Sequence, residues 1–148
     1  MKSEASKDAS TTIQLSTEKV ATGPRPQLPS SISILAMLRG TLLAVDHGIK
    51  TGNYTVLRDL GATSFRKANS AAKLAQIFGN LSSQGLDLLA TAVVDPNFTK
   101  PPIITPERMI YLTGIFPIQP RPVAFEILLE LDEGQWRIYA IAIAPAAN

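Results

Sequence analysis

Apolar and polar residues alternate along the last part of the chain, from Pro122 to Ala144. Apolar side chains take every second position from Val123 to Leu131, and alternation resumes after Gln135. A period of two is typical of a strand with one buried face. The segment Asp132-Glu133-Gly134 separates the two runs and suits a tight turn, because glycine adopts positive φ without steric cost. The pattern therefore predicts a β-hairpin.

The loop length of this hairpin decides which side chains share a face. A two-residue loop puts Glu130 opposite Arg137, a favourable cross-strand pair, whereas a three-residue loop would put Leu129 opposite Arg137. We therefore expect the shorter loop. Its uninterrupted register pairs Leu131 with Trp136, Leu129 with Ile138, Ile127 with Ala140, and Phe125 with Ala142. One face is then wholly apolar, and the other is a mixed face of Glu126, Leu128, Glu130, Arg137, Tyr139, Ile141 and Ile143.

Upstream of the hairpin, apolar residues recur at spacings of three and four, which is typical of helices with one buried face. The first helix is expected to begin at one of the serines after Pro29 and to end near Gly48 or Gly52. A short second helix follows Asn53 and stops at Gly61. A third runs from about Ser70 to Leu81.

The first of these helices contains the most apolar run of the chain, Ile32 to Val45. The run includes Arg39 and is shorter than the ~20 residues that a membrane span needs. We therefore expect a core helix and no membrane span.

After the third helix the pattern changes to that of strands. The run from Leu86 to Val94 is apolar and partly β-branched, and Asp95-Pro96-Asn97 ends it, so a strand and a turn are expected. Prolines 101, 102 and 106 predict an irregular or edge segment. Glu107 to Phe116 is the next expected strand. Helices followed by strands predict an α+β domain, with three N-terminal helices packed on a curved antiparallel sheet of three to five strands.

The first 31 residues are polar and carry a proline cluster, so we interpret them as a disordered tail before a single domain of residues 32–145. A weak alternation from Thr12 to Val20 leaves open an added edge strand. No apolar signal-like run follows Met1. The protein is expected in the cytoplasm if Met1 is the native start, and in the periplasm or outside the cell if a signal peptide was removed.

Composition excludes several kinds of site. The chain has 148 residues, a net charge of +2 and no run of lysine or arginine, which argues against nucleic-acid binding. It has no cysteine and one histidine, so disulfides, thiolate metal sites and histidine clusters are excluded. No phosphate-loop or metalloprotease motif occurs. We therefore expect no metal and no cofactor.

Three segments carry a resemblance to a known superfamily. TGNYTVLRDLGATSF follows the first helix, and LTGIF and GQWRIYAIAI lie in the expected strands. Together they resemble the nuclear transport factor two-like superfamily over residues 32–144. The resemblance implies a cone-shaped, cystatin-like α+β fold, an open mouth between helices and sheet, a bacterial source, and homodimers formed through the outer sheet face.

Some enzymes of that superfamily, such as ketosteroid isomerase, hold acid and base groups with tuned pKa values inside the cone. The candidates here are His47, Tyr54, Asp87 and Tyr111. Asp46 adjoins His47, but neighbouring helix residues point about 100° apart and do not face each other. The simpler interpretation makes His47 a helix-end residue and Tyr54 a core residue. Asp87 and Tyr111 would be catalytic only if both point inward.

Because the expected interior is aliphatic, the sequence favours a non-catalytic binding or interaction module over an enzyme. A small lyase, isomerase or hydrolase is the alternative. The expected partners are a second copy of the chain and a small hydrophobic ligand. The expected ligand pocket consists of Leu38, Leu42, Tyr54, Leu57, Phe78, Phe125, Ile127 and Trp136. The expected dimer face consists of Leu128, Arg137, Tyr139, Ile141 and Ile143.

Overall fold

A computed structural model describes residues 25–147 of the chain. The predictions of a polar tail and of an added strand at residues 12–20 lie outside the described residues, apart from the last few positions of the tail. Residues 25–30 have no regular secondary structure, and the first described helix begins at Ser31.

Helices precede strands in the described part of the chain, as the sequence predicts for this α+β domain. The α-helices are α1 (Ser31–Thr51), α2 (Thr55–Asp59), α3 (Thr63–Ala68) and α4 (Ala71–Phe78). Two 3₁₀ helices follow, Ser82–Gln84 and Leu89–Ala92. The strands are β1 (Asn97–Phe98), β2 (Ile103–Ile104), β3 (Ile110–Phe116), β4 (Val123–Asp132) and β5 (Gln135–Pro145).

Helix α1 has the ends that its sequence predicts. The Ser30 side chain accepts a hydrogen bond from the Ser33 backbone N–H, and Gly52 closes the helix in the left-handed conformation at φ 76°. Between these ends one face is buried, and Leu38, Leu42 and Val45 are at most 1% exposed. The apolar spacing of three and four therefore marks the face that packs on the sheet.

Helix α1 also meets the length and composition of a membrane span. It has 21 residues, and its most apolar window has a mean hydropathy of 1.4 and is 44% buried. The expected apolar run, Ile32 to Val45, was shorter than this helix. A core helix of a folded domain has the same properties, and the buried side chains of α1 belong to the core cluster.

The expectation of three helices missed α3. This helix begins at Thr63, whose backbone N–H and hydroxyl both donate to the Asp132 carboxylate at the end of β4. Asp132 therefore caps α3 from 69 residues away in the chain. Six residues are too few to show a helical spacing of apolar residues, and the residue that caps this helix is distant in the sequence.

The strand expected from Leu86 to Val94 is wrong. Its central part is the 3₁₀ helix Leu89–Ala92. The Arg39 guanidinium, on α1, donates to the backbone carbonyls of Thr91 and Val94 at 3.0 and 2.9 Å. These carbonyls are thereby satisfied without a neighbouring strand, so the apolar run folds as a turn that packs on α1.

The sheet is open and antiparallel, in the order β1, β3, β4, β5, and β2 also pairs with β3. Strands β1 and β2 both pair with the same edge of β3, and Pro101 and Pro102 lie in the gap between them. Proline has no backbone N–H to donate to a sheet, so the edge is interrupted at these residues. Strand β3 begins at Ile110 and not at Glu107. The preceding residues form a turn in which Arg108 has φ 68°. The Met109 backbone N–H donates to the Thr105 hydroxyl, and the Thr105 backbone N–H donates to the Met109 carbonyl.

The predicted hairpin loop is confirmed. Glu133 and Gly134 have φ of 56° and 82°, so both central residues are left-handed, as in the tight turns that fit the twist of paired strands. Next to this loop the predicted register is correct, and Glu130 lies opposite Arg137. Leu131 with Trp136 and Leu129 with Ile138 are the other confirmed pairs.

Beyond Ile138 a β-bulge shifts the register by one residue. Leu129 pairs with Ile138 but Leu128 pairs with Ala140, so Tyr139 is the extra residue on β5. The predicted pairs of Ile127 with Ala140 and of Phe125 with Ala142 are therefore wrong. The observed partners are Ile141 for Ile127 and Ile143 for Phe125.

The bulge moves two isoleucines from one face of the sheet to the other. Ile141 and Ile143 pack against the core cluster, which unites the helices with the inner face of β3, β4 and β5. Their predicted place on a mixed outer face was wrong, because a one-residue shift reverses every side chain beyond it. Ala140, Ala142 and Ala144 take the outer positions instead.

The bulge predicts that lysine destabilises the protein strongly at one position of β5 and hardly at all at the next. Ile141→Lys buries a charge against the core and should lower the free energy of unfolding by about 3 kcal/mol. Ala142→Lys places the ammonium opposite Glu126 and should change it by less than about 0.5 kcal/mol. Urea unfolding at low protein concentration measures both. Equal losses, or a larger loss at Ala142, would contradict the bulged register.

Candidate functional site

The four candidate acid and base residues do not share one site. His47 is exposed on α1, and the neighbouring Asp46 is 2% exposed, so the two side chains leave the helix in different directions. The backbone carbonyl of His47 accepts a hydrogen bond from the Thr51 hydroxyl. His47 is therefore a surface residue near the end of α1.

Tyr54 lies in the core, where α1 and α2 meet. It is 3% exposed, and burial raises the pKa of its phenol. Its ring lies over Gly48, where a Cβ atom would come within 2.5 Å of the ring. The glycine thus makes room for the aromatic ring, which packs with the core cluster.

Asp87 belongs to a charged cluster at the end of α1. The Lys50 ammonium lies 3.0 Å from Asp87 Oδ1 and 3.0 Å from Asp46 Oδ1. These hydrogen bonds, Asp46 first, raise the pKa of Lys50. The backbone N–H of Leu89, followed by Lys50, lowers the pKa of Asp87. Lys50 was missed by the sequence analysis, although its spacing of four from Asp46 on one helix was a usable signal.

The cluster of Asp46, Lys50 and Asp87 combines two carboxylates with one ammonium. Asp46 Oδ2 is buried and makes no hydrogen bond within the described residues. Asp87 is half-exposed, and both of its hydrogen bonds, from Lys50 and from Leu89, go to Oδ1. With all three groups ionised, the cluster has one negative charge more than its lysine balances.

Tyr111 lies on the sheet face opposite the helices. Its hydroxyl donates a 2.5 Å hydrogen bond to Glu126 Oε2 on the adjacent strand. Desolvation first, and then the Glu126 carboxylate, raise the pKa of Tyr111 to about 12. Tyr111 and Asp87 therefore do not meet in one interior, as the catalytic hypothesis required.

The residues expected to line a ligand pocket are core residues. Seven of them are 0–3% exposed, and Trp136 is half-buried and packs on the same cluster. The phenyl rings of Phe125 and Phe116 pack at 5.5 Å, and those of Phe125 and Phe98 at 6.0 Å. Aromatic contacts thus fix the inner face at the position where the ligand was expected.

An open hollow lies elsewhere, beside the 3₁₀ helix Leu89–Ala92. Its volume is about 500 Å³. Four aliphatic residues and two polar ones line it: Asp87, Leu89, Ala90, Ala92, Val93 and Gln119. The sequence analysis missed this hollow, because it assigned the segment to a strand.

The outer face of the sheet consists of the positions that alternate with the core residues of β3, β4 and β5. Three rows cross it: Tyr111, Leu128 and Ala140; Thr113, Glu126 and Ala142; and Ile115, Ala124 and Ala144. None of these nine residues belongs to the core cluster. Leu128 is nevertheless 1% exposed, whereas the other residues of the face are half-buried or exposed.

No metal centre is assembled within residues 25–147, where no three histidine, aspartate or glutamate side chains come together as ligands. The groups in the charged cluster and on the outer face are instead partnered by lysine and tyrosine. These lysine and tyrosine contacts neutralise the carboxylates or fix their orientation. It does not direct two titratable groups toward one enclosed space.

We expect Lys50→Met to destabilise the protein by about 1 to 2 kcal/mol, because it strands the buried Asp46 carboxylate. In an Asp46→Asn background the same change should cost clearly less. Thermal and urea unfolding measure the coupling, and Lys67→Met, at an exposed lysine on α3, is the matched control. Equal costs in both backgrounds would exclude coupling between Lys50 and Asp46.

Tyr111→Phe should lower the free energy of unfolding at pH 8 by about 1 kcal/mol, through loss of the bond to Glu126. Because the pKa of Tyr111 is higher in the folded protein, the neutral phenol contributes to the free energy of unfolding. This contribution is complete below pH ~10, the ordinary pKa of tyrosine, and is lost as the pH rises toward 12. Wild type should therefore lose more stability between pH 10 and 12 than the variant. Tyr139→Phe is the control, and parallel pH profiles for wild type and Tyr111→Phe would contradict the assignment.

Compared with known protein families, curated proteins and solved structures, the chain gives no match in any of the three. The resemblance to the nuclear transport factor two-like superfamily therefore stays a prediction. The structure itself supports an α+β fold of helices followed by an open antiparallel sheet of five strands.

Proposed function

We propose that the protein is a non-catalytic interaction module that pairs with a second copy of itself through the outer face of its sheet. The observation that carries this proposal is the composition of that face. Its rows combine the half-buried Tyr111 and Ile115 of β3 with Ala124 of β4 and a column of alanines on β5. A sheet face apart from the core, with apolar side chains on every strand, is typical of a surface that a partner covers.

The alanine column favours a flat partner. Ala140, Ala142 and Ala144 project only a methyl group each, so the β5 side of the face is low. A second sheet can then approach the backbone of β5 closely, whereas Tyr111 and Ile115 on β3 project further from the sheet and form its higher side. A two-fold axis would bring the high side of one copy over the low side of the other, which makes the face complementary to itself.

The charged group in the middle of the face is already partnered within the chain. Glu126 already accepts the Tyr111 hydroxyl, so covering it would not leave a carboxylate without a hydrogen bond. Leu128 is already enclosed, and the contacts of a second copy would come from the half-buried side chains around it. The polar pair would fix the register between copies more than it adds affinity.

The other expected functions have less support from the geometry. A small hydrophobic ligand in the interior would have to displace packed residues such as Leu42 and Leu57, both 0% exposed. An enzyme would need a carboxylate or His47 to meet a tyrosine inside one pocket, whereas the four candidate residues lie in four different environments. The cone shape itself stays a prediction of the resemblance.

The test is the molecular mass in solution, measured by light scattering across a range of concentrations. We expect twice the chain mass for wild type and the single chain mass for Ala142→Lys, which should leave the fold intact in the bulged register. Ala72→Lys, the same change at an exposed position of α4, should keep the dimer. A wild-type monomer, or a dimer unaffected by Ala142→Lys, would overturn the proposal.

A further inference from the structure

The hollow beside the second 3₁₀ helix has fixed walls. From α1, the Arg39 guanidinium holds the carbonyls of Thr91 and Val94 and pairs with Asp95 at 3.0 Å. Lys50, about three turns further along α1, holds Asp87. The segment is thus bound to one helix at both of its ends, and the hollow is formed before any ligand arrives.

The opposite wall is fixed as well. Gln119 lies in the connection between β3 and β4, and the nearby Arg121 donates to the Gln84 carbonyl at 3.1 Å. The aliphatic part of Arg121 also lies against Gly85, where a Cβ atom would meet it at 3.2 Å. This contact joins the loop of Gln119 to the segment that leads into Asp87.

The lining of the hollow is apolar and open to solvent. Leu89 is 55% exposed and Val93 is 80% exposed, although both are large aliphatic side chains. Arg39 and Lys50 hold the segment at both ends while these residues stay at the surface. Apolar side chains held at the surface of a concave site are available to an apolar ligand body, and about 500 Å³ is within the range of small-molecule sites.

One end of the hollow is negative. Asp87 directs Oδ1 to Lys50 and Leu89, which leaves Oδ2 without a hydrogen bond to any described residue. Asp46 and Asp87 share the single ammonium of Lys50, so one more cation would balance the cluster. Gln119 supplies an amide that can donate or accept at the same hollow.

We propose that this hollow binds a small organic cation, with its ammonium group at Asp87 Oδ2 and its apolar body on Leu89, Ala92 and Val93. A charge-assisted hydrogen bond to a carboxylate is about twice as strong as a neutral one, which selects an amine over a neutral analogue. A single free carboxylate oxygen does not suit a metal ion, which needs several oxygen ligands. The site is separate from the outer sheet face, so dimer formation and ligand binding can be tested independently.

The experiment is a titration of the ¹⁵N-labelled full chain with 2-phenylethylamine and with 2-phenylethanol, its neutral analogue. Amide shifts of residues 87–93 and of Gln119 report binding. We expect saturable shifts at these amides, and an affinity about tenfold higher for the amine. The Ala142→Lys variant should bind the amine as wild type does.

Two variants, with one control variant, separate the effect of charge from that of shape. Asp87→Asn should reduce amine affinity to that of the alcohol, while Asp59→Asn, the same charge change at an exposed residue elsewhere, should leave the preference intact. Ala92→Trp, which fills the hollow, should abolish binding of both compounds. No saturable shifts at these amides, equal affinities for the two compounds, or a preference that survives Asp87→Asn would each overturn the proposal.

Discussion

The packing of α1 on the inner face of the sheet is the contact on which the rest of the structure depends. Strands β3, β4 and β5 present an apolar face, and α1 is the long helix of the described residues that can cover it. Leu38, Leu42 and Val45 supply the buried side of this contact. Full burial of one such side chain stabilises the folded state by roughly 1.5–3 kcal/mol, so the contact outweighs any single polar interaction of the domain.

The polar side of α1 determines how the neighbouring chain is arranged. Arg39 and Lys50 lie on one helix, separated by about 16 Å of helical rise, and each satisfies polar groups of the segment from Asp87 to Asp95. The apolar segment between these contacts folds as the 3₁₀ helix Leu89–Ala92. The charged residues of α1 therefore form the hollow, whereas its apolar residues form the core.

The sequence predicted those features that depend on neighbouring residues. The Ser30 cap, the Gly52 terminus and the Glu133-Gly134 loop each act within a few positions. The loop was predicted outright, and the cap and the terminus are each one of the alternatives that the sequence left open. The alternation in β4 and the order of helices before strands were also local signals. Composition could exclude cysteine sites for the same reason, since it needs no knowledge of the fold.

The predictions that failed concern interactions between distant parts of the chain. Asp132 caps α3 from 69 residues away, and Arg39 satisfies carbonyls 52 and 55 residues away. Neither contact leaves a trace in the local apolar period. The bulge at Tyr139 has a different origin. A ladder without a bulge would have turned Ile141 and Ile143 to solvent and three alanines to the core. The extra residue Tyr139 reverses these positions, so the isoleucines face the core and the alanines face outward.

That exchange shows how the sequence analysis could have found the bulge. Alanine and isoleucine alternate in the β5 segment Ala140-Ile141-Ala142-Ile143. A register counted from the loop without a bulge would place the alanines against the core and the isoleucines on the outer face. Turning the isoleucines inward recovers several methylene groups of buried area on each, at about 0.8 kcal/mol per methylene. A bulge leaves one residue unpaired in the ladder, which costs about one hydrogen bond, or roughly 1 kcal/mol. The burial term is the larger, so the apolar content of the strand, and not its loop, determines which face of β5 meets the core and leaves the alanines on the outer face.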